Sequence, residues 1–247
     1  MKKLLLLFLI SFLSTPLLAE GFNDNYIQLG YSTSDYKHTD KITNISGSAE
    51  FGNNYSISGS YSYETGDWND PQEYETLTSK KTLIGIGKSF PLSPSTDITS
   101  SFSIEKWNNK HTTDFTAKSV DFFGTTYTTT SSSSSYKIDF SHASIGIKSL
   151  TAAGFEISLK NTWTRAKTTT TLNYYTPSIG VRNISDSGLE LSFKYSTIKG
   201  ATFEDTLNKM EFELMKHINE NFAIGGRVVS QKKPDWTEKG IFVRRNF

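Results

Sequence analysis

The stretch "SHASIGIKSLTAAGFE" holds three side chains of the types used in acyl transfer: His142, Ser144 and Glu156. A Ser hydroxyl becomes a nucleophile beside an imidazole base, and the imidazole needs a carboxylate to orient it. Spacing argues against their meeting. If "LTAAG" (150–154) is a turn between two strands, His142 falls opposite a position near 162. Glu156 then lies about six positions away, or about 20 Å at the strand rise. A working base must come within about 3 Å of the proton it takes. The plainer assignment is an interface His and an ordinary strand Ser.

A second set of polar residues is charged: Lys160, Arg182, Glu190, Lys194, Lys209, Glu211, Glu213, Arg227 and Arg244. Both signs are mixed. If they share one face of a sheet, they pair across strands or line a weakly selective, water-filled path. The four histidines, His38, His111, His142 and His217, are scattered, and the chain has no Cys. No metal-ligand spacing emerges, so no metal is expected. No Gly sits in a phosphate-binding context, and no cofactor is expected.

The elements carrying these residues alternate with period two. "YIQLGYSTS" sets Ile27, Leu29 and Tyr31 against Gln28, Gly30 and Ser32. "YSISGSYSY" sets Tyr55, Ile57, Tyr61 and Tyr63 against Ser56, Ser58, Ser60 and Ser62. "FEISLKNTW" and "LELSFKY" repeat the pattern, which is the strand period. About twelve such segments of about ten residues follow one another, each long enough to cross an outer membrane as a tilted strand. They lie near 25–35, 41–51, 55–64, 80–90, 97–107, 136–149, 155–165, 174–183, 189–197, 207–216, 222–230 and 239–247. Counts of ten or fourteen also fit the pattern.

The connections alternate in length. "GNN" (52–54), "PLSPST" (91–96), "LTAAG", "ISDSG" (184–188) and "HINEN" (217–221) are short and rich in turn formers. The intervening connections are longer. "TGDWNDPQEYETLTS" and the stretch from Asn108 to Ser135 are the largest, and the latter is either mobile or an extension of its hairpin. Short turns on one side and long loops on the other are the habit of outer-membrane barrels. Aromatic residues fit the same scheme. Phe51, Tyr55, Phe90, Phe155, Phe222 and Phe247 cluster at the short-turn side, and Trp107 and Trp163 sit at the opposite strand ends. These are the expected girdle residues.

The ends of the chain agree. "MKKLLLLFLISFLSTPLLAEGF" has basic Lys2 and Lys3, a short apolar run and a small residue at Ala19. It reads as a signal peptide over 1–19, with a barrel over 20–247. "GIFVRRNF" alternates Ile241, Val243, Arg245 and Phe247 against Phe242, Arg244 and Asn246. A closed sheet needs its last strand to pair with its first, which gives this ending a purpose. Apolar residues make up only 36% of the chain, as expected if only one face of each strand meets lipid. The formal charge is +1, or −1 without Lys2 and Lys3, which gives no reason to expect nucleic acid as a partner. An exported β-sandwich is the soluble alternative, but it does not account for the alternating loop lengths or the placement of the aromatics.

"YIQLGYSTSDY", "FGNNYSISGSYSYETGD", "SIGVRNISDSGLELSFKYS", "NENFAIGGRVV" and "GIFVRRNF" resemble the small Gram-negative outer-membrane β-barrels of the opacity-porin and attachment/invasion type. That resemblance implies an all-β closed transmembrane barrel in the Gram-negative outer membrane. Its surroundings would be membrane lipid and lipopolysaccharide, and its assembly would use a barrel-insertion machinery that recognises the terminal aromatic strand. Arg245 departs from the usual terminal pattern, and the chain is too long for the eight strands of small members. The order His142, Ser144, Glu156 also resembles that of outer-membrane lipid A deacylases, although Ile145 stands where those enzymes carry Asn. The expected function is a non-catalytic, porin-like channel for small solutes. The alternatives are a barrel acting through its surface loops, and a barrel lipid hydrolase.

Overall fold

The computed structural model describes residues 24–35, 40–70, 73–121, 124–200, 206–232 and 235–247. The segment read as a signal peptide and His38 lie outside them. Twelve antiparallel strands make up nearly all of the described chain. They are β1 (Tyr26–Ser34), β2 (Asp40–Phe51), β3 (Tyr55–Asp70), β4 (Glu73–Ser93), β5 (Thr96–Asp121) and β6 (Gly124–Leu150). β7 (Phe155–Lys167), β8 (Thr171–Ile184), β9 (Leu189–Gly200), β10 (Leu207–His217), β11 (Phe222–Lys232) and β12 (Trp236–Asn246) complete the set. Each pairs with its neighbours in chain order, and β12 returns to β1, so the barrel is closed. The seam runs from Tyr26 opposite Asn246 to Ser34 opposite Glu238. Closure pairs both edges of the sheet, which is the condition for a sheet in hydrocarbon.

Side-chain exposure is inverted relative to a water-soluble sheet. Leu29, Ile84, Leu159 and Ile241 are more than half exposed, and many other large apolar residues at alternate positions are exposed too. Gln28, Ser32, Glu190, Ser196 and Arg244, at the intervening positions, are buried. Apolar surface this extensive is stable against acyl chains and not against water. The polar residues therefore face a lumen and the apolar ones face lipid.

The five short turns lie at the same end of the barrel as the start of β1 and the end of β12. Their chemistry is local. Asn53 and Asn54 take positive φ of 59° and 62° to close the link from β2 to β3. Gly154 and Gly188 take φ of 76° and 73° at the β6–β7 and β8–β9 turns. These are the residue types that tolerate the left-handed region.

The long polar connections, expected outside the strands, are largely strand. β3 and β4 stay paired out to Asp70 and Glu73, and β5 and β6 out to Asp121 and Gly124. Residues 108–121 and 124–135 are thus a hairpin extension, held by their backbone ladder. Thr and Ser carry it because neither face needs an apolar core, and Thr side chains suit a strand. The ladder is interrupted elsewhere. Pairing of β8 with β9 lapses between Tyr175 and Ser178, around Pro177, which has no N–H to give.

Candidate functional site

The lumen wall is built from one face of all twelve strands, so the register decides what it presents. At the β9–β12 side the wall is charged. Lys194 and Lys209 lie 3.6 and 3.3 Å from Glu211. Arg227 reaches Glu238 at 3.3 Å, and Glu238 also accepts from Ser32 at 2.8 Å. Arg244 donates to Gln28 at 2.8 Å and to Glu213 at 3.0 Å, so the seam between β1 and β12 is also tied by side chains. Towards the turn end, Arg182 meets Glu190 at 2.5 Å, and Glu190 meets His217 at 2.8 Å.

All nine charged residues expected on the inner face occupy the alternate positions opposite the exposed apolar ones. Lys160 stands beside Ser178 of β8. The other eight each have a salt-bridge partner. A small apolar knot interrupts the polar wall. Met215, Ala223 and Phe242 are almost fully buried against each other inside the barrel. Gly225 makes this possible, because a Cβ there would lie 2.3 Å from the Phe242 ring.

The opposite side of the wall is sparse. Ser58, Gly85 and Ser103 stand side by side on β3, β4 and β5. Ser101 and Ser144 share a hydrogen bond of 2.6 Å on β5 and β6. Further from the turns the same side carries an aromatic group. Trp107 lies on the inner face, which corrects its assignment to the membrane girdle. Its Nε1 donates to Glu105 at 2.5 Å, its ring packs on Phe140 at 4.8 Å, and the Lys81 ammonium lies 4.6 Å above it. Lys81 also pairs with Glu64 at 2.6 Å. The cause is parity: Phe102 and Ile104 point outward on β5, so Lys106 follows them and Trp107 turns in. The sequence reading misses this group and its partners Lys81, Glu64 and Glu105, although the alternation around them carries the signal.

The other aromatic residues assigned to the girdle sit on the outer face or beside it. Phe51 and Tyr55 stack at 6.0 Å beside the first short turn. Phe90, Phe155, Phe222 and Trp163 are exposed, and Phe247 follows the end of β12. Arg245, unusual at its place, sets its guanidinium 5.8 Å from the Phe222 ring. That contact gives an outward cation an aromatic neighbour near the membrane edge.

The His, Ser and Glu of the acyl-transfer alternative do not assemble. His142 bonds Thr164 at 2.8 Å and Glu105 at 3.3 Å. Ser144 is taken up by Ser101, and Glu156 pairs with Lys148 at 3.3 Å near the turns. All three face the lumen and not the lipid that would supply an acyl chain. No group of His, Asp and Glu able to hold a metal exists among the described residues.

No family model matches this chain, and no curated protein does. Solved structures do match in shape. A KdgM porin in complex with disordered oligogalacturonate superposes at TM-score 0.61 and 12% identity, over 90% of this chain and 99% of that one. The NanC porin gives 0.65 at 7% identity, over 90% and 100%. The translocator domain of the autotransporter NalP from Neisseria meningitidis gives 0.62 at 9%, over 94% and 91%. At identities this low the likeness is one of fold: this chain is a closed twelve-strand antiparallel barrel of the kind found in Gram-negative outer membranes.

Proposed function

We propose that the protein is a non-catalytic outer-membrane channel that lets small solutes pass by diffusion. One observation carries the reading: the inner wall is polar over most of its surface, charged on the β9–β12 side, and on β3 to β5 it carries a row of Ser and Gly below the Lys81, Glu64 and Glu105 group. Small side chains on β3, β4 and β5 leave space that eight strands of larger residues would fill. Most of the charges on the far wall are paired, so the path is polar without a strong excess of one sign. Two of the structural neighbours named above are porins, which supports the same reading. Purified, heat-modifiable protein added to planar lipid bilayers is expected to produce discrete current steps. Absence of steps from protein shown to be folded would overturn the channel reading.

A second reading rests on the β5–β6 hairpin. Its strands are 26 and 27 residues long, about twice the length of most others, and its outer part is rich in Ser and Thr. Such a projection suits recognition at the cell surface. Replacing residues 114–131 by Asn-Gly would join Thr113 and Ser132, which already face each other. Under this reading the shortened barrel folds and conducts as before but loses binding to the cell-surface polysaccharide or phage it recognises. Export through a cleaved segment 1–19, contact with lipopolysaccharide, and insertion through the terminal strand by an assembly machinery belong to the same proposal. N-terminal sequencing of the mature protein tests the first of these.

A further inference from the structure

Asp24 lies just before β1, on the side of the barrel where the short turns gather. Its neighbour Asn25 stays at the wall. The Asn25 side-chain oxygen accepts from the backbone N–H of Glu50 on β2 at 2.5 Å, and its carbonyl accepts from that of Phe247 at 3.2 Å. Asp24 does not follow the wall. One carboxylate oxygen takes Lys148 of β6 at 3.0 Å, and the other takes Arg182 of β8 at 2.9 Å. These two strands flank β7, which stands diametrically opposite β1 in the ring. The contact therefore spans the lumen.

The receiving cations are themselves fixed. Lys148 also pairs with Glu156 at 3.3 Å, and Arg182 with Glu190, which is held in turn by His217. Asp24 meets two positive groups already positioned by the far wall, a geometry that lowers the cost of ordering the contact. Burial opposes ionisation of Asp24, but Lys148 and Arg182 outweigh it and hold the carboxyl below the usual carboxylate range. The contact is thus charged at neutral pH.

We propose that Asp24 is a latch: together with Lys148 and Arg182 it draws the chain across the turn-side mouth of the lumen and sets the narrowest point of the solute path. The inference rests on the channel reading and goes beyond it by naming the residue that limits flow. A wall-to-wall salt bridge blocks area that the Ser-lined side would otherwise leave open. Loss of the carboxylate charge frees residue 24 from both cations at once. Loss of Lys148 leaves Arg182 in place and has a smaller effect.

Single-channel recording of the wild type, Asp24→Asn, Lys148→Met and the charge-conserving Asp24→Glu tests this, with heat-modifiable mobility confirming that each is folded. Asp24→Asn is expected to raise unitary conductance by about twofold or more. Lys148→Met should raise it less, and Asp24→Glu, which keeps a carboxylate for both cations, should stay close to the wild type. Equal steps in wild type and Asp24→Asn would overturn the latch and leave the channel standing. No steps from any of the four folded proteins would overturn the channel reading, and the latch with it.

Discussion

Glu190 is the most constrained acid of the charged wall. It is 2% exposed and bridges Arg182 and His217. Removing a partner from a buried ionic group leaves the other charge uncompensated, and that usually costs more than the pair contributed. Glu190→Ala should therefore lower stability by about 2–4 kcal/mol, read from the urea midpoint in detergent. The cost is held down because Arg182 keeps Asp24. At this scale the sequence is readable wherever a residue belongs to an alternating run. The parity of Leu189, Leu191 and Phe193 assigns Glu190 and Lys194 to the other face without ambiguity. Trp107 shows what happens when position near a strand end is weighed above parity. Asp24 has no such signal, since it precedes the first alternating segment and its partners come from strands far along the chain.

A strand of this barrel tolerates side chains outward more freely than inward, because lipid yields and a packed inner wall does not. Gly225 of β11 is the clearest case. A Cβ there would stand 2.3 Å from the Phe242 ring and 2.7 Å from the Leu214 carbonyl oxygen. The ring has little room to retreat, since Met215 and Ala223 close around it. Gly225→Val is expected to destabilise by about 1–3 kcal/mol through overpacking, measured as a fall in the temperature at which heat-modifiable mobility is lost. Gly226, beside it, has its nearest atom at 3.5 Å, so Gly226→Ala should be close to neutral in the same assay. Element boundaries are the part of the fold least visible in the sequence. Short turns announce themselves through Asn, Gly and Pro. The outward continuation of β3 to β6 does not, because a polar ladder exposed on both faces has no apolar period. The hydrogen bonds that extend it are between backbone groups, which nearly every residue type supplies equally.

The whole molecule follows from the closure of β1 on β12. Once the ring is complete, the two faces of every strand have different solvents. The low apolar content, the mixed inner charges and the exposed outer aliphatics become consequences of one geometry. The absence of Cys makes this directly measurable, since any introduced thiol is the sole one in the chain. Four single variants, Ser58→Cys, Ser103→Cys, Ile86→Cys and Leu159→Cys, should be folded into lipid vesicles and treated with a charged, membrane-impermeant maleimide. The thiols at positions 58 and 103 face the lumen and should label rapidly. Those at positions 86 and 159 face acyl chains and should stay protected until the barrel is denatured. Labelling of the outer sites as fast as the inner ones would contradict a water-filled ring with a lipid-facing exterior.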